Sequence, residues 1–422
     1  MWESLLKLFR IPDLKRKVIF TFLMLLVFRI GSHIPVPGID SRALADVFAQ
    51  GGLLSFLDMF AGGALGRFSI LALGIMPYIN ASIIMQLLTS VIPKLEELSR
   101  SGEEGRDKIT QYTRWGTILL AVIQGFGITV WMESLGVILT PGWGYRITVI
   151  LTLTAGSVFL MWLGDLISDF GIGNGISLII FGGIVARLLP QAVSTFSLIQ
   201  VGEINLLLFA IFLIIGILVI ATVVAFQEAQ RRIPVQYAKR VVGRRVYGGQ
   251  STHIPIRVIQ GGVIPIIFAS SILLFPATIA QFFQESAIMN SIANALSPSS
   301  PLYLTLYAAL IIFFTFFYTA VTFNPMDLAD NMKKYGGFIP GIRPGRPTID
   351  YIDRCLSRIT LWGALFLAFV AITPDIMVRV TGITTFYFGG TAIIIMVGVA
   401  IETVRQLEAQ LLMRHYEGFI RR

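Results

Sequence analysis

This chain has little charge and almost no cysteine. Only 14% of its 422 residues are Asp, Glu, Lys or Arg, against about 25% in a typical soluble domain, and 55% are hydrophobic. That balance places it in the membrane class before any motif is read. The single cysteine, Cys355, excludes an internal disulfide. His33, His253 and His415 stand far apart, which argues against a histidine metal site. There is no GxxxxGK[ST] loop, no HExxH and no GxSxG, and Gly164-Asp165 lacks the partner motif of an aspartyl membrane protease. Neither catalysis nor a cofactor is expected, so any uphill work must be driven by another molecule. The alternating ten-residue pattern of a membrane barrel is also missing, which leaves helices as the spanning element.

What the chain does have is long apolar runs. A spanning helix needs roughly 20 mostly apolar residues. Ten segments qualify, at about 18–34, 68–92, 115–134, 147–168, 176–192, 204–226, 258–280, 302–323, 359–374 and 386–404. Their middles hold no Asp, Glu or Lys; Arg29, Asp165 and Asp169 lie near span ends. Asn80, Gln86, Gln124 and Gln260 are the main polar interruptions, a type that more often bonds helix to helix. This interior disfavours a proton- or sodium-coupled pump, because such pumps use intramembrane charge. Trp2, Leu5, Leu6 and Phe9 fall at helical spacing among basic residues and read as a short interfacial helix. The first span has no small-residue cleavage site, so no cleavable signal peptide is expected.

Ten spans put both termini on one side. All but six of the 33 Lys and Arg residues would share that side, the exceptions being Arg29, Arg42, Arg67, Arg146, Arg187 and Arg379. The positive-inside rule makes it the cytoplasmic face. Two segments then match. GIMPYINASII (74–84) and GVIPIIFASSI (262–272) share Gly, Pro, Ile, Ala, Ser and Ile. They fall in spans two and seven, each interrupted by Gly and Pro. GISLII from Gly175 matches GTAIII from Gly390 more weakly, in spans five and ten. These are corresponding helices of two five-helix halves, and because five is odd the second half enters the membrane inverted. The expected fold is an all-α membrane protein of ten transmembrane helices in two inverted halves, 1–200 and 201–422.

Ile75 and Ile79 lie one turn apart on span two, and Ile176 and Ile180 on span five. Ile267 aligns with Ile79, and Ile395 with Ile180. From spacing alone ordinary bundle packing is the better account, and a hydrophobic constriction is the sharper one. LLSFLDMFAGGALGRFS (53–69) is apolar but too short and Gly-broken to span. A buried re-entrant plug and an interfacial helix fit its composition equally. Two loops on the basic side, about 227–257 and 324–358, exceed what a connection needs. The first is strongly basic and reads as a hairpin turning at Gly243 and Gly248-Gly249. Both suggest docking to an anionic partner, RNA or an acidic protein face.

Taken together, RIGSHIPVPGID, ALGIMPYINASIIMQLL, GEEGRDKITQYTR, GIGNGIS, QRRIPVQYAKR, GRRVYGGQSTHIPIRV, GGVIPIIFASS, FNPMDLADN, GFIPGIRPGRPT and FYFGGT resemble the SecY family of bacterial protein-conducting channels along the whole chain. The resemblance implies a central hourglass pore that carries unfolded polypeptide across the bacterial inner membrane and releases helices sideways into it. It implies a pore ring at Ile75, Ile79, Ile176, Ile180, Ile267 and Ile395. It puts a plug at about 55–67, including Ser55, Phe56, Leu57, Met59, Phe60, Gly62, Gly63, Leu65 and Arg67. A lateral gate would lie between spans two and three and spans seven and eight, with Asn80, Gln86 and Gln124 as candidate polar residues. Arg244, Arg245 and Arg343 would dock the SecA motor and the ribosome, and SecE and SecG would be small membrane subunits. Signal peptides, translocating chains and membrane lipid complete the implied partners. A secondary transporter or lipid flippase with inverted repeats is the alternative, and a midplane charged cluster would distinguish it.

Overall fold

The computed structural model describes residues 11–40, 42–44, 48, 58, 61–202, 205–237, 240–242, 245–247, 251–282, 291, 295–297, 300–381 and 390–420. The interfacial helix around Trp2, the expected plug residues Ser55, Phe56, Leu57, Met59 and Phe60, and Arg244 lie outside these.

The described chain is mostly helical. The helices are α1 (Pro12–Gly31), α2 (Met76–Val91), α3 (Pro93–Arg100), α4 (Glu103–Ser134), α5 (Trp143–Phe170), α6 (Gly175–Val201), α7 (Leu206–Glu228), α8 (Ile264–Phe282), α9 (Pro301–Thr322), α10 (Pro325–Lys334), α11 (Arg346–Thr381) and α12 (Gly390–Ile420). A helix stands on each of the ten expected segments. Six are long and apolar enough to cross a membrane, or seven if α2 and α3, bent by 101°, form one broken span.

Local sequence explains where several helices begin. Asn174, Asn205, Ser300 and Asn324 cap α6, α7, α9 and α10, each accepting a bond from a first-turn N–H at 2.9–3.0 Å. Proline opens α1, α3, α9 and α10, where its missing N–H costs nothing. The same rule revises the reading of the matched segments. Pro77 and Pro265 do not interrupt a spanning helix; each is the second residue of one. Before them Gly74 and Gly262 take left-handed backbone, φ +59° and +55°. Span two was expected from 68, but residues 61–75 run as turns and the helix starts at 76. Apolar character continues through the break, so hydropathy alone does not reveal it.

Helix packing repeats along the chain. In the first half α2 packs on α4, α4 on α5, α5 on α6, and α1 on both α5 and α6. In the second α8 packs on α9, α9 on α11, α11 on α12, and α7 on both α11 and α12. These are the same pairs, five apolar segments later. Between the sets α8 meets α2 and α4, and α12 meets α6. One apolar core runs through both sets.

Outside the bundle the two long loops form one lobe. β1 (Gln230–Tyr237) pairs antiparallel with β4 (Ser251–Arg257), Gln230 opposite Arg257. β2 (Arg240–Val242) and β3 (Arg245–Tyr247) form a hairpin between them. β5 (Gly337–Phe338), from the other loop, pairs with the far end of β1, Gln236 opposite Phe338. Ile233, Val235, Ile256, Met332, Ile339, Ile352 and Leu356 give this lobe its own core.

Alanine cannot adopt the left-handed backbone of Gly74 or Gly262 without strain. Gly74→Ala and Gly262→Ala should each destabilise the detergent-purified protein by about 1–2 kcal/mol, read as a lower thermal midpoint. Equal midpoints to the parent would mean that neither glycine is needed for its turn.

Candidate channel site

The six isoleucines are carried by the four helices whose starts match in sequence. Ile75 caps α2 and Ile79 lies one turn inside it. Ile176 and Ile180 stand on the first turns of α6, Ile267 on the first turn of α8, and Ile395 on the second turn of α12. Five of them are 0–6% exposed, Ile176 is half-buried, and all belong to the one bundle core. No charged side chain is buried among the described residues of that core except Asp58. Branched apolar side chains make no directional bonds, so a constriction built of them would exclude ions by dewetting and carry no chemical selectivity.

The segment before α2 lies inside the protein. Ala61, Ala64, Leu65, Phe68, Leu71, Ala72 and Leu73 are 0–5% exposed. The described residues 61–73 are thus packed within the bundle core. The segment's backbone is tied at three points: Arg29 of α1 donates to the Gly62 carbonyl at 3.0 Å, Val36 N–H donates to the Phe68 carbonyl at 2.9 Å, and Ile70 N–H donates to the Ile34 carbonyl at 3.0 Å. Phe68 is the one non-glycine residue with positive φ, +44°, among those described, a conformation that surrounding structure must enforce. Arg67 is exposed and donates to His33 Nε2 at 2.8 Å, while His33 Nδ1 lies 2.8 Å from the Arg29 carbonyl. That pair of contacts requires the tautomer with hydrogen on Nδ1. Gly63 takes φ +86° with open space beside it.

A cleft of about 40 Å³ opens where α2, α4 and α8 meet. Its walls are Met76 and Asn80 of α2, Gln124 and Ile128 of α4, Leu274 and Phe275 of α8, and Leu65, Ala72 and Leu73 of the re-entrant segment. Asn80 and Gln124 thus share one apolar cleft, as two of the three candidate amides. Gln86 is half-buried farther along α2 and does not line it.

Of the arginines expected to dock a partner, Arg343 is exposed in the turn after β5, whose Gly341 and Gly345 have positive φ. Arg245 opens β3 on the same lobe. Sequence reasoning treated the two loops as separate. A two-residue strand has no periodicity to read, and β5 is what joins them. It also missed three ion pairs between distant residues: Arg114 of α4 to Asp165 of α5 at 2.6 Å, Asp58 to Arg187 of α6 at 3.1 Å, and Arg405 of α12 to Glu228 of α7 at 2.8 Å.

Comparison with known proteins now adds to this geometry. A family model described as SecY matches residues 69–404. The protein translocase subunit SecY of Thermus thermophilus is 49% identical, covering 100% of this chain and 97% of the relative. That of Escherichia coli is 48% identical over 97% of this chain and 94% of the relative. Among solved structures, one titled "The structure of a protein conducting channel" superposes with a TM-score of 0.70 at 21% identity, covering 94% of this chain and 92% of the other. Sec61 in a canine ribosome–channel complex from the endoplasmic reticulum gives 0.66 at 19%, with the same coverage. These structural matches carry the fold.

Two amides in an apolar seam favour a wetter arrangement. Asn80→Leu combined with Gln124→Leu should raise the thermal midpoint, by about 1 kcal/mol of stability. A lower midpoint would show that the amides hold the three helices together.

Proposed function

The chain belongs to the SecY family, a multi-pass membrane channel subunit that moves polypeptide, and on that premise we propose how its geometry performs the task. The observation that carries the reading is the convergence of sequence and packing symmetry. The four helices with matching starts bear the six isoleucines. They also make the junctions between halves, α2 with α8 and α6 with α12.

In this account the two halves, 1–200 and 201–422, are related by an axis in the membrane plane. The isoleucines Ile75, Ile79, Ile176, Ile180, Ile267 and Ile395 form a compliant ring around an hourglass pore. It seals around a chain of any sequence because it makes no specific hydrogen bonds. The re-entrant segment, about 55–67, is the plug that seals the empty pore. The seam of α2 and α4 against α8 is the lateral gate, and the halves hinge at the loop between α6 and α7. A signal peptide binding in the seam opens it by its differential affinity for the open state. Asn80 and Gln124 border the place where it would bind.

The basic lobe faces the cytoplasm in this reading, with both termini, and the membrane is the bacterial inner membrane. Arg244, Arg245 and Arg343 present positive charge to an anionic partner. A ribosome is the partner with most support: channels similar in fold have been solved on ribosomes, from dog and from yeast. Binding of the SecA motor and of the small subunits SecE and SecG is proposed from family membership. Energy comes from the docked motor or from chain synthesis. The family assignment sets aside the transporter and flippase alternatives.

Reconstitution into vesicles tests the ring. Ile79→Ser with Ile267→Ser should raise resting ion conductance several-fold while a signal-bearing preprotein is still moved. Unchanged conductance would sink the ring assignment.

A further inference from the structure

The re-entrant segment carries a single acid, Asp58, and that acid is bound. Asp58 is 4% exposed and is the only buried carboxylate among the described residues. Its Oδ1 accepts the Gly66 N–H at 2.8 Å, which folds the segment back on itself. Its Oδ2 lies 3.1 Å from Nη1 of Arg187 on α6. Gly183, one turn earlier on the same face of α6, lies against Gly62: a Cβ on Gly183 would come within 3.0 Å of the Gly62 Cα. Arg29 of α1 holds the Gly62 carbonyl from the other side.

These ties share a property. Arg187, Gly183 and Arg29 all belong to α1 and α6, on the first half. The contacts of the segment toward α8 are of another kind, with Leu65 sharing the cleft with Leu274 and Phe275. Apolar contact is non-directional, so it holds the segment without fixing its position. The ion pair and the glycine contact fix it. A buried pair that loses one partner leaves an uncompensated charge, so the seated position depends strongly on both.

We infer that Asp58 and Arg187 are a seating latch, positioning residues that hold the re-entrant segment on α6 and so set how readily the channel opens. Departure of α8 from the seam removes only the apolar cover over Leu65. Displacement of the segment then requires the latch to part, so the latch adds a threshold that movement of α8 alone does not meet. This inference rests on the reading of the segment as a plug.

The test uses the full chain with its accessory subunits in vesicles, measuring resting ion conductance and the signal-peptide concentration for half-maximal opening. Asp58→Asn and Arg187→Gln should each raise resting conductance several-fold and lower that concentration, and Asp58→Glu should largely restore both. Gly183→Ala should act in the same direction by pushing Gly62 away, although alanine is the stronger helix former and the helix itself is not weakened. Any variant that does not accumulate is covered by the other two. Deletion of residues 55–67 separates the two claims. If deletion raises conductance while Asp58→Asn, Arg187→Gln and Gly183→Ala do not, the latch is wrong and the plug stands. If deletion leaves conductance unchanged, the plug reading itself fails.

Discussion

Apolar packing holds α8 against α2 and α4, and among the described residues no ion pair crosses that seam. What replaces the contacts when the seam parts decides what parting costs. Toward the bilayer, lipid tails take the place of protein side chains, and lipid is as apolar as leucine, so the exchange is nearly even. Toward the pore, water takes their place, and each bared isoleucine costs roughly 1.5–3 kcal/mol. In the proposed channel one material therefore serves two demands: it would yield sideways to an apolar helix and resist a column of water along the axis.

The ties within each half are of a different kind. Arg114 binds Asp165 between α4 and α5, and Arg146 binds Glu133 where those helices turn back. In the second half Arg405 of α12 reaches Glu228 at 2.8 Å, at the end of α7 where β1 is about to begin. The lobe is thus anchored to α12, the helix that carries Ile395. In the proposed mechanism a partner pressing on the lobe would act on α12 through this short, directly bonded path. Directional bonds tie helices within each set, and non-directional contact leaves the seam at α8 free to part in the proposed mechanism.

Much of this was legible in the sequence. The ten segments, the paired GIMPYINASII and GVIPIIFASSI, and the hairpin of the first long loop all have their counterparts in the fold. The reasons are local: apolar runs of spanning length, and glycine and proline at matched places. What was not legible had non-local causes. The start of α2 at Met76 is set by the left-handed turn at Gly74, within a run whose hydropathy never drops. The joining of the loops depends on Gly337–Phe338, too short to show a pattern. The Asp58–Arg187 pair links residues on separate elements, and each alone reads as an ordinary charge near a span end.

The central claim is that the boundary at α2, α4 and α8 opens while the junction of α6 with α12 holds. Spin labels placed as one pair across α4 and α8, and as another across α6 and α12, would report both distances before and after a signal-bearing chain is stalled in the channel. The account predicts a longer α4–α8 distance and an unchanged α6–α12 distance. An unchanged α4–α8 distance, or widening at α6–α12 instead, would contradict it.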